Sequence, residues 1–237
     1  MATTRRIEIP SPRRWRLSGG PGLAGLLLFL FMGTPVPASS ADATLDQYVR
    51  ALESSYRGVS TLQAEFTQTY VWGGRKRVES GTVLFAKGGR MRWDYRQPIE
   101  KLFVSDGKNV FFFVPDDKQV TRTSVKSSED FRVPFRLLLS RLDLRKIFSR
   151  IEFADQALDA SPGNRVLRGI PKQRLEEAYD QVLFEVTPSA DIHRLVVFYP
   201  DRSSMEFVFT GIERNVTVQP SLFRFTPPPG AEVIDQH

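Results

Sequence analysis

Residues 81–95 read G-T-V-L-F-A-K-G-G-R-M-R-W-D-Y, and residues 102–115 read L-F-V-S-D-G-K-N-V-F-F-F-V-P. These runs predict two consecutive β-hairpins, with turns at Gly88-Gly89 and Asp106-Gly107, because glycine and Asx residues take positive φ at little cost. Phe, Trp, Tyr, Val and Leu fall on both faces of the strands. An antiparallel sheet with one solvated face alternates apolar and polar residues more cleanly than this. An apolar layer of protein or ligand is therefore expected against the inner face. A three-residue turn at Gly88-Gly89-Arg90 would set Lys87 opposite Met91, Phe85 opposite Trp93 and Val83 opposite Tyr95. All of them then share one face, taken as the inner one.

The N-terminal segment indicates the compartment. Arg5, Arg6, Arg13, Arg14 and Arg16 precede an apolar run from Leu23 to Met32, and small residues follow at Ala38, Ser39, Ser40 and Ala41. That order is a charged region, an apolar region and a cleavage zone, the pattern of a secretory signal peptide. The run is too short to span a bilayer as a permanent helix. Residues 1–41 are thus expected to be a signal, cut after Ala41 or alternatively Ala38, with residues 42–237 as one exported domain in the periplasm.

Five of the 33 basic and one of the 27 acidic residues lie in that segment, leaving 28 and 26, so the net charge falls from +6 to about +2. The remainder is no polycation. Its densest basic cluster, Arg75-Lys76-Arg77, adjoins Gly73-Gly74 and reads as a solvated turn, since nucleic-acid binding calls for a longer stripe with interleaved aromatics. The chain contains no cysteine. It therefore relies on its core for stability, offers no thiol nucleophile or cysteine metal site, and lacks the residue on which a lipid anchor is built.

Elsewhere the periodicities are simple. Leu45, Tyr48, Val49, Leu52 and Tyr56 recur at helical spacing between Asp42 and Gly58, with Thr44 as a cap. Leu62 to Gln68 alternates as a strand, with Leu62, Ala64 and Phe66 on one side. Ser127 to Arg150 reads as helix, with Pro134 at a first turn, Phe135, Leu138, Leu139 and Leu142 on one stripe, and Ile147 and Phe148 beyond. At least four further strands follow, over 166–170, 181–187, 194–199 and 205–210, and then a Pro-rich tail at 226–230.

Catalytic signatures are scarce. His193 lies in a turn and His237 is the last residue, and none of the common hydrolase, metalloprotease, P-loop or dinucleotide motifs occurs. The expectation is a protein that is not an enzyme and needs no cofactor or metal.

The order of these features resembles the LolA family of periplasmic lipoprotein carriers over the whole exported part. The pieces that carry the resemblance are L-Q-A-E-F-T-Q at 62–68, the first hairpin, Pro98, the S-D-G-K turn at 105–108 and F-T-P-P-P-G-A-E-V at 225–233. The resemblance implies a mainly β fold, an open, incomplete antiparallel barrel of about eleven strands, covered by an α-helical lid around an apolar cavity. The implied function is a soluble carrier that shields the acyl chains of lipoproteins and moves them from the inner to the outer membrane. The same fold could alternatively bind another lipid or an apolar small molecule. Candidate cavity residues are Phe66, Val83, Phe85, Met91, Trp93, Tyr95, Leu138, Leu139 and Leu142. Lys87 is the candidate lid fastener, because it stands where the family usually carries an arginine. The implied partners are the lipoprotein anchor, an inner-membrane ABC-type releasing complex and an outer-membrane acceptor. No nucleic acid is expected, and the protein is expected to be a monomer.

Overall fold

The computed structural model describes residues 40–125, 142–172 and 179–236. Helix α1 (Ser40–Arg57) leads into six strands: β1 (Thr61–Trp72), β2 (Arg75–Ala86), β3 (Arg90–Gln97), β4 (Lys101–Asp106), β5 (Asn109–Val114) and β6 (Gln119–Ser124). A short helix α2 (Leu144–Ile147) follows. Then come β7 (Phe148–Phe153), β8 (Arg165–Pro171), β9 (Gln181–Val186), β10 (Ile192–Phe198), β11 (Ser204–Arg214) and β12 (Glu232–Gln236). A 3₁₀ turn, Pro220–Phe223, lies between the last two strands.

All twelve strands form one open sheet in the order β12-β6-β5-β4-β3-β2-β1-β11-β10-β9-β8-β7. β1 to β6 run as a meander, as do β7 to β11, and the seam between the two is the antiparallel pair β1–β11. β12 departs from the antiparallel expectation, since it pairs parallel to β6. The Trp93 and Phe207 rings lie 5.5 Å apart although their strands are three places apart in the sheet. On a flat sheet three strand spacings measure ~14 Å, so the sheet curls toward the face that carries them.

The β2–β3 hairpin corrects the expected register. Phe85 pairs with Met91, Val83 with Trp93, and Ala86 with Arg90. The loop is Lys87-Gly88-Gly89, one residue earlier than expected. Gly88 and Gly89 both hold positive φ, at 84° and 73°, so the left-handed stretch ends before Arg90, which is free to join β3. The shift moves each pairing by two residues, which preserves the face: Val83, Phe85, Met91, Trp93 and Tyr95 all belong to one buried cluster. A bulge at Ser80/Gly81 bends β2, and a Cβ on Gly81 would fall 1.9 Å from the Asp94 carbonyl oxygen. Only glycine fits that approach.

Several boundaries also differ from the periodicity reading. α1 begins at Ser40, so Thr44 lies inside the helix and is not its cap, and the expected cuts after Ala38 and Ala41 fall around the helix start. β1 continues to Trp72 and β2 starts at Arg75, which places Arg75-Lys76-Arg77 in a strand beside the Gly73-Gly74 turn. The helix expected to run to Arg150 is confined, within the described residues, to Leu144–Ile147, and Phe148–Phe153 is strand. Pro134 and Phe135 lie outside the described residues.

The outer face carries two small clusters. Leu84 and Ala86 pack under Phe223 of the 3₁₀ turn, and Val166, Leu183 and Val196 pack under the loop that holds Ala154 and Leu158. The main core lies on the other face.

Candidate functional site

The buried face of the curled sheet is aromatic at its centre. Trp93, fully buried, meets Phe66 edge-on at 4.9 Å and Phe85 at 5.6 Å. Phe66 also meets Tyr95 at 4.9 Å, and Phe207 stacks on Phe209 at 6.1 Å. Edge-to-face pairs of this kind add about 0.5–1.5 kcal/mol each beyond simple burial. Apolar side chains continue the face toward both edges, with Phe103 and Val110 on one side and Leu195, Phe184 and Phe148 on the other.

At one end the apolar face stops at a polar row. The Tyr95 hydroxyl donates to Gln68 Oε1 at 2.7 Å, and Lys101 pairs with Glu79, which also faces Arg77 at 3.5 Å. Gln68 and Glu79 are both buried. Their mutual satisfaction is what permits polar groups there.

α1 covers the face. Val49, Leu52 and Tyr56 are buried in the same cluster as Trp93, and Leu45 packs against it. The helical stripe read from the sequence is thus the stripe that meets the sheet. Polar contacts fasten the helix along its length. In its first half Asp46 pairs with Arg145, and farther along Glu53 Oε1 accepts the Leu144 N–H at 2.8 Å. Toward its end, the Tyr56 hydroxyl accepts the buried Ile192 N–H at 3.0 Å. Burial pushes the Tyr56 phenol above its ordinary value, against the opposing Ile192 N–H and Arg214 charge.

Arg214, at the last position of β11, ties three segments together. Its guanidinium donates to the Ala190 carbonyl at 2.7 Å, to Asp191 Oδ1 at 2.8 Å and to the Ser55 carbonyl at 3.4 Å. It also lies 4.8 Å from the Tyr56 ring centroid. One cation therefore bridges the C-terminal turn of α1 to the β9–β10 turn, satisfying a carbonyl that the helix end leaves open.

Two gaps border α1. A crevice of about 200 Å³ beside the helix is lined by Tyr48, Leu52, Arg165, Val186, Pro188 and Ala190 among others, and a gap of about 10 Å³ separates Tyr56, Phe85 and Phe209. Arg165 lies 3.9 Å from the centroid of the Phe153 ring and is held there by Asp155. Burial pushes the Asp155 carboxyl up, but bonds from Arg165 and the Val166 N–H outweigh it and leave the value lowered.

Of the residues singled out from the sequence, Phe66, Val83, Phe85, Met91, Trp93 and Tyr95 come together and are at most 3 % exposed. Leu142 is half-buried against the same cluster. Leu138 and Leu139 lie outside the described residues. Lys87 is exposed in its turn, where its N–H donates to the Ser60 carbonyl at 3.0 Å and its own carbonyl accepts from Arg90. The sequence reading does not single out Phe207, Phe209 or Arg214. The first two sit on an expected strand of unknown placement. Nothing local marks the third, because its partners are 24 and 159 residues away.

Among the described residues, no group of His, Asp and Glu could hold a metal ion, and no helix is long and apolar enough to cross a membrane.

Residues 57–226 match the family described as outer membrane lipoprotein carrier protein LolA. The outer-membrane lipoprotein carrier protein of Nitrosospira multiformis is 31% identical over 192 residues, covering 79% of this chain and 88% of the relative. That of Nitrosomonas europaea is 29% identical over 202 residues, covering 84% and 92%. Among solved structures, an uncharacterized conserved protein from Thermus thermophilus matches with a TM-score of 0.51 at 11% identity, covering 81% of this chain and 99% of that one. The last likeness concerns the fold alone.

Proposed function

This chain belongs to the LolA family of outer membrane lipoprotein carriers, and from that premise we propose that it is a soluble periplasmic carrier, which shields the acyl chains of lipoproteins between the inner and outer membranes. The observation that carries the reading is the family match over residues 57–226, laid on a sheet whose inner face is apolar from β5 across to β7. Each CH₂ of an acyl chain exposed to water costs ~0.8 kcal/mol, so one sixteen-carbon chain represents on the order of 12 kcal/mol. An anchor with several chains does not cross water uncovered at a useful rate.

We take the arrangement with α1 packed on the sheet as the closed state of the carrier. Ligand sites for even drug-sized molecules occupy roughly 300–1,000 Å³, against the crevice of about 200 Å³. In this reading, loading lifts α1 from the sheet. Baring Val49, Leu52, Tyr56 and their partners costs about 1.5–3 kcal/mol for each large side chain. An acyl chain laid on the same aromatic face offsets that cost, so cargo and helix exchange places on one surface. The polar row at Gln68, Glu79 and Lys101 bounds the acyl site at one end, and the carrier holds cargo less firmly than a bilayer does, which is what release requires.

In this reading residues 1–41 are the export signal and residues 42–237 act as a monomer. The protein receives cargo from an inner-membrane ABC-type complex, unloads at an outer-membrane acceptor, and carries out no chemical step. Lys87 is proposed to steady the closed state from its turn. The test is to add the purified exported protein to spheroplasts and identify, by mass spectrometry, what becomes soluble with it. Lipoproteins bearing intact acyl anchors are expected. Release of phospholipid or fatty acid without lipoprotein would overturn the reading.

A further inference from the structure

The β1–β2 hairpin outreaches its neighbours. β2 pairs with β3 only from Ser80 onward, and β1 pairs with β11 only as far as Val71, so Trp72 to Arg75 project past both neighbours and Lys76 to Val78 past β3 alone. Its composition is unusual for a solvated turn. Trp72 is 52% exposed and Val78 45% exposed, and Ile99, in the β3–β4 turn at the same end of the strands, is 50% exposed. Three cations, Arg75, Lys76 and Arg77, lie between the two tip residues. Arg77 is turned toward Glu79 and over the Tyr70 ring, while Arg75 and Lys76 make no ion pair with any described residue. Glu79 faces inward and is paired with Lys101. The acidic residues Glu100, Asp116 and Asp117 lie on the turns beyond, which confines the positive patch to this hairpin.

From this combination we propose that the β1–β2 tip is a membrane-surface contact that adsorbs to bilayers bearing anionic phospholipids. Indole rings settle at the headgroup level because one edge is apolar and the N–H is polar. Cations beside such a ring are drawn to the negative surface, each strengthening adsorption roughly fivefold. Trp72 at the projecting end supplies the apolar contact, with Arg75 directly across from it and Lys76 next in the strand supplying the charge. The apolar area is small, so binding is weak and reversible. A shuttling protein needs contact of that kind, yet the inference stands without the carrier reading because it concerns the tip alone.

The test is flotation of the exported protein, its first residue fixed by intact mass, with phosphatidylcholine vesicles containing or lacking phosphatidylglycerol. Binding is expected with the anionic vesicles only, declining as salt is raised, with a blue-shifted tryptophan emission that Trp72→Phe abolishes. Arg75→Glu combined with Lys76→Glu is expected to lower the bound fraction more than tenfold. The same reversal at Lys108 and Arg224, away from the tip, leaves it within twofold. Circular dichroism and the emission of buried Trp93 report whether each variant folds, and the salt and Trp72 readings need no charge variant. Three results would overturn the proposal. One is no preference for anionic vesicles, and another is equal loss from the tip and control reversals. The third is unchanged flotation of the tip variant together with loss of a cross-link to an envelope protein, which would make the tip a protein-docking site.

Discussion

The centre of the sheet and the helix that covers it are held by different kinds of force. At the centre, Trp93, Phe66, Phe85 and Phe207 interlock from four strands, each ring filling the space its neighbours leave. The helix rests on that surface with Val49, Leu52 and Tyr56, and a few polar contacts along its length fix its position: Asp46 to Arg145, Glu53 to the Leu144 N–H, Tyr56 to the Ile192 N–H and Arg214 to Ser55. Interlocked aromatics separate only when the strands separate. Hydrogen bonds at a rim can exchange with water one at a time, for about 0.5–1.5 kcal/mol net each. Under the proposed carrier reading, the sheet is the part that stays fixed and α1 the part that lifts.

The largest expected effect comes from denying the helix that freedom. The chain has no cysteine, so Ser55→Cys with Ala190→Cys, at positions where the Ser55 hydroxyl and the Ala190 carbonyl lie 3.5 Å apart, introduces a unique pair. Oxidation of this pair should abolish lipoprotein uptake from spheroplasts and reduction should restore it. Equal uptake by the two forms would mean that α1 never moves. Next, Trp93→Ala should cost about 3–5 kcal/mol in urea unfolding, because four rings lose a shared partner. A loss below ~1 kcal/mol would show that the centre is loosely packed.

Tyr56→Phe leaves the buried Ile192 N–H without its acceptor and should cost about 1–3 kcal/mol. If α1 is the separable part, hydrogen exchange should rise in the helix far more than in β1 to β3, and uniform acceleration would erase the distinction drawn above. Lys87→Arg should firm the closed state by ~1 kcal/mol, through a donor fork that lysine lacks, and slow lipoprotein release. Lys87→Ala should hasten release, and identical rates for all three proteins would leave Lys87 a solvated turn residue. The smallest effect is on pH dependence. Asp155 and Glu152 both have lowered values, so the stability they contribute is present above the ordinary carboxylate range and is lost as pH falls through their depressed values. Acid should therefore loosen the Arg165 side of the helix before the aromatic centre, a sequence that the near-ultraviolet signal of Trp93 can time.

What can be read in advance follows the range of the interactions. Helical spacing selects Leu45, Val49, Leu52 and Tyr56, since a period of 3.6 is a local property. Strand alternation places Val83, Phe85, Trp93 and Tyr95 on one face, and that survives a misplaced turn because a shift of two residues keeps parity. The turn itself is not legible because two consecutive glycines fit several loops equally well. β7 is absorbed into an apolar run that suits helix or strand, and β6 and β12 go unseen. β12 is a parallel strand, stabilised by a partner more than a hundred residues earlier. Arg214 is the extreme case, where three segments meet at one guanidinium and none of them announces the others.

The seam between β1 and β11 has a consequence for the chain as it emerges during synthesis and translocation. β1 forms its hairpin with β2 at once, yet its other edge waits for residues 204–214, more than 130 positions later. Until they arrive, the first meander exposes a long edge of unpaired amides next to half of an aromatic surface, the combination that invites pairing with a foreign strand. Synthesis therefore contains a vulnerable interval that ends only when β11 docks. Substitutions that weaken β11 should lower yield through aggregation well before they lower the stability of molecules that have folded.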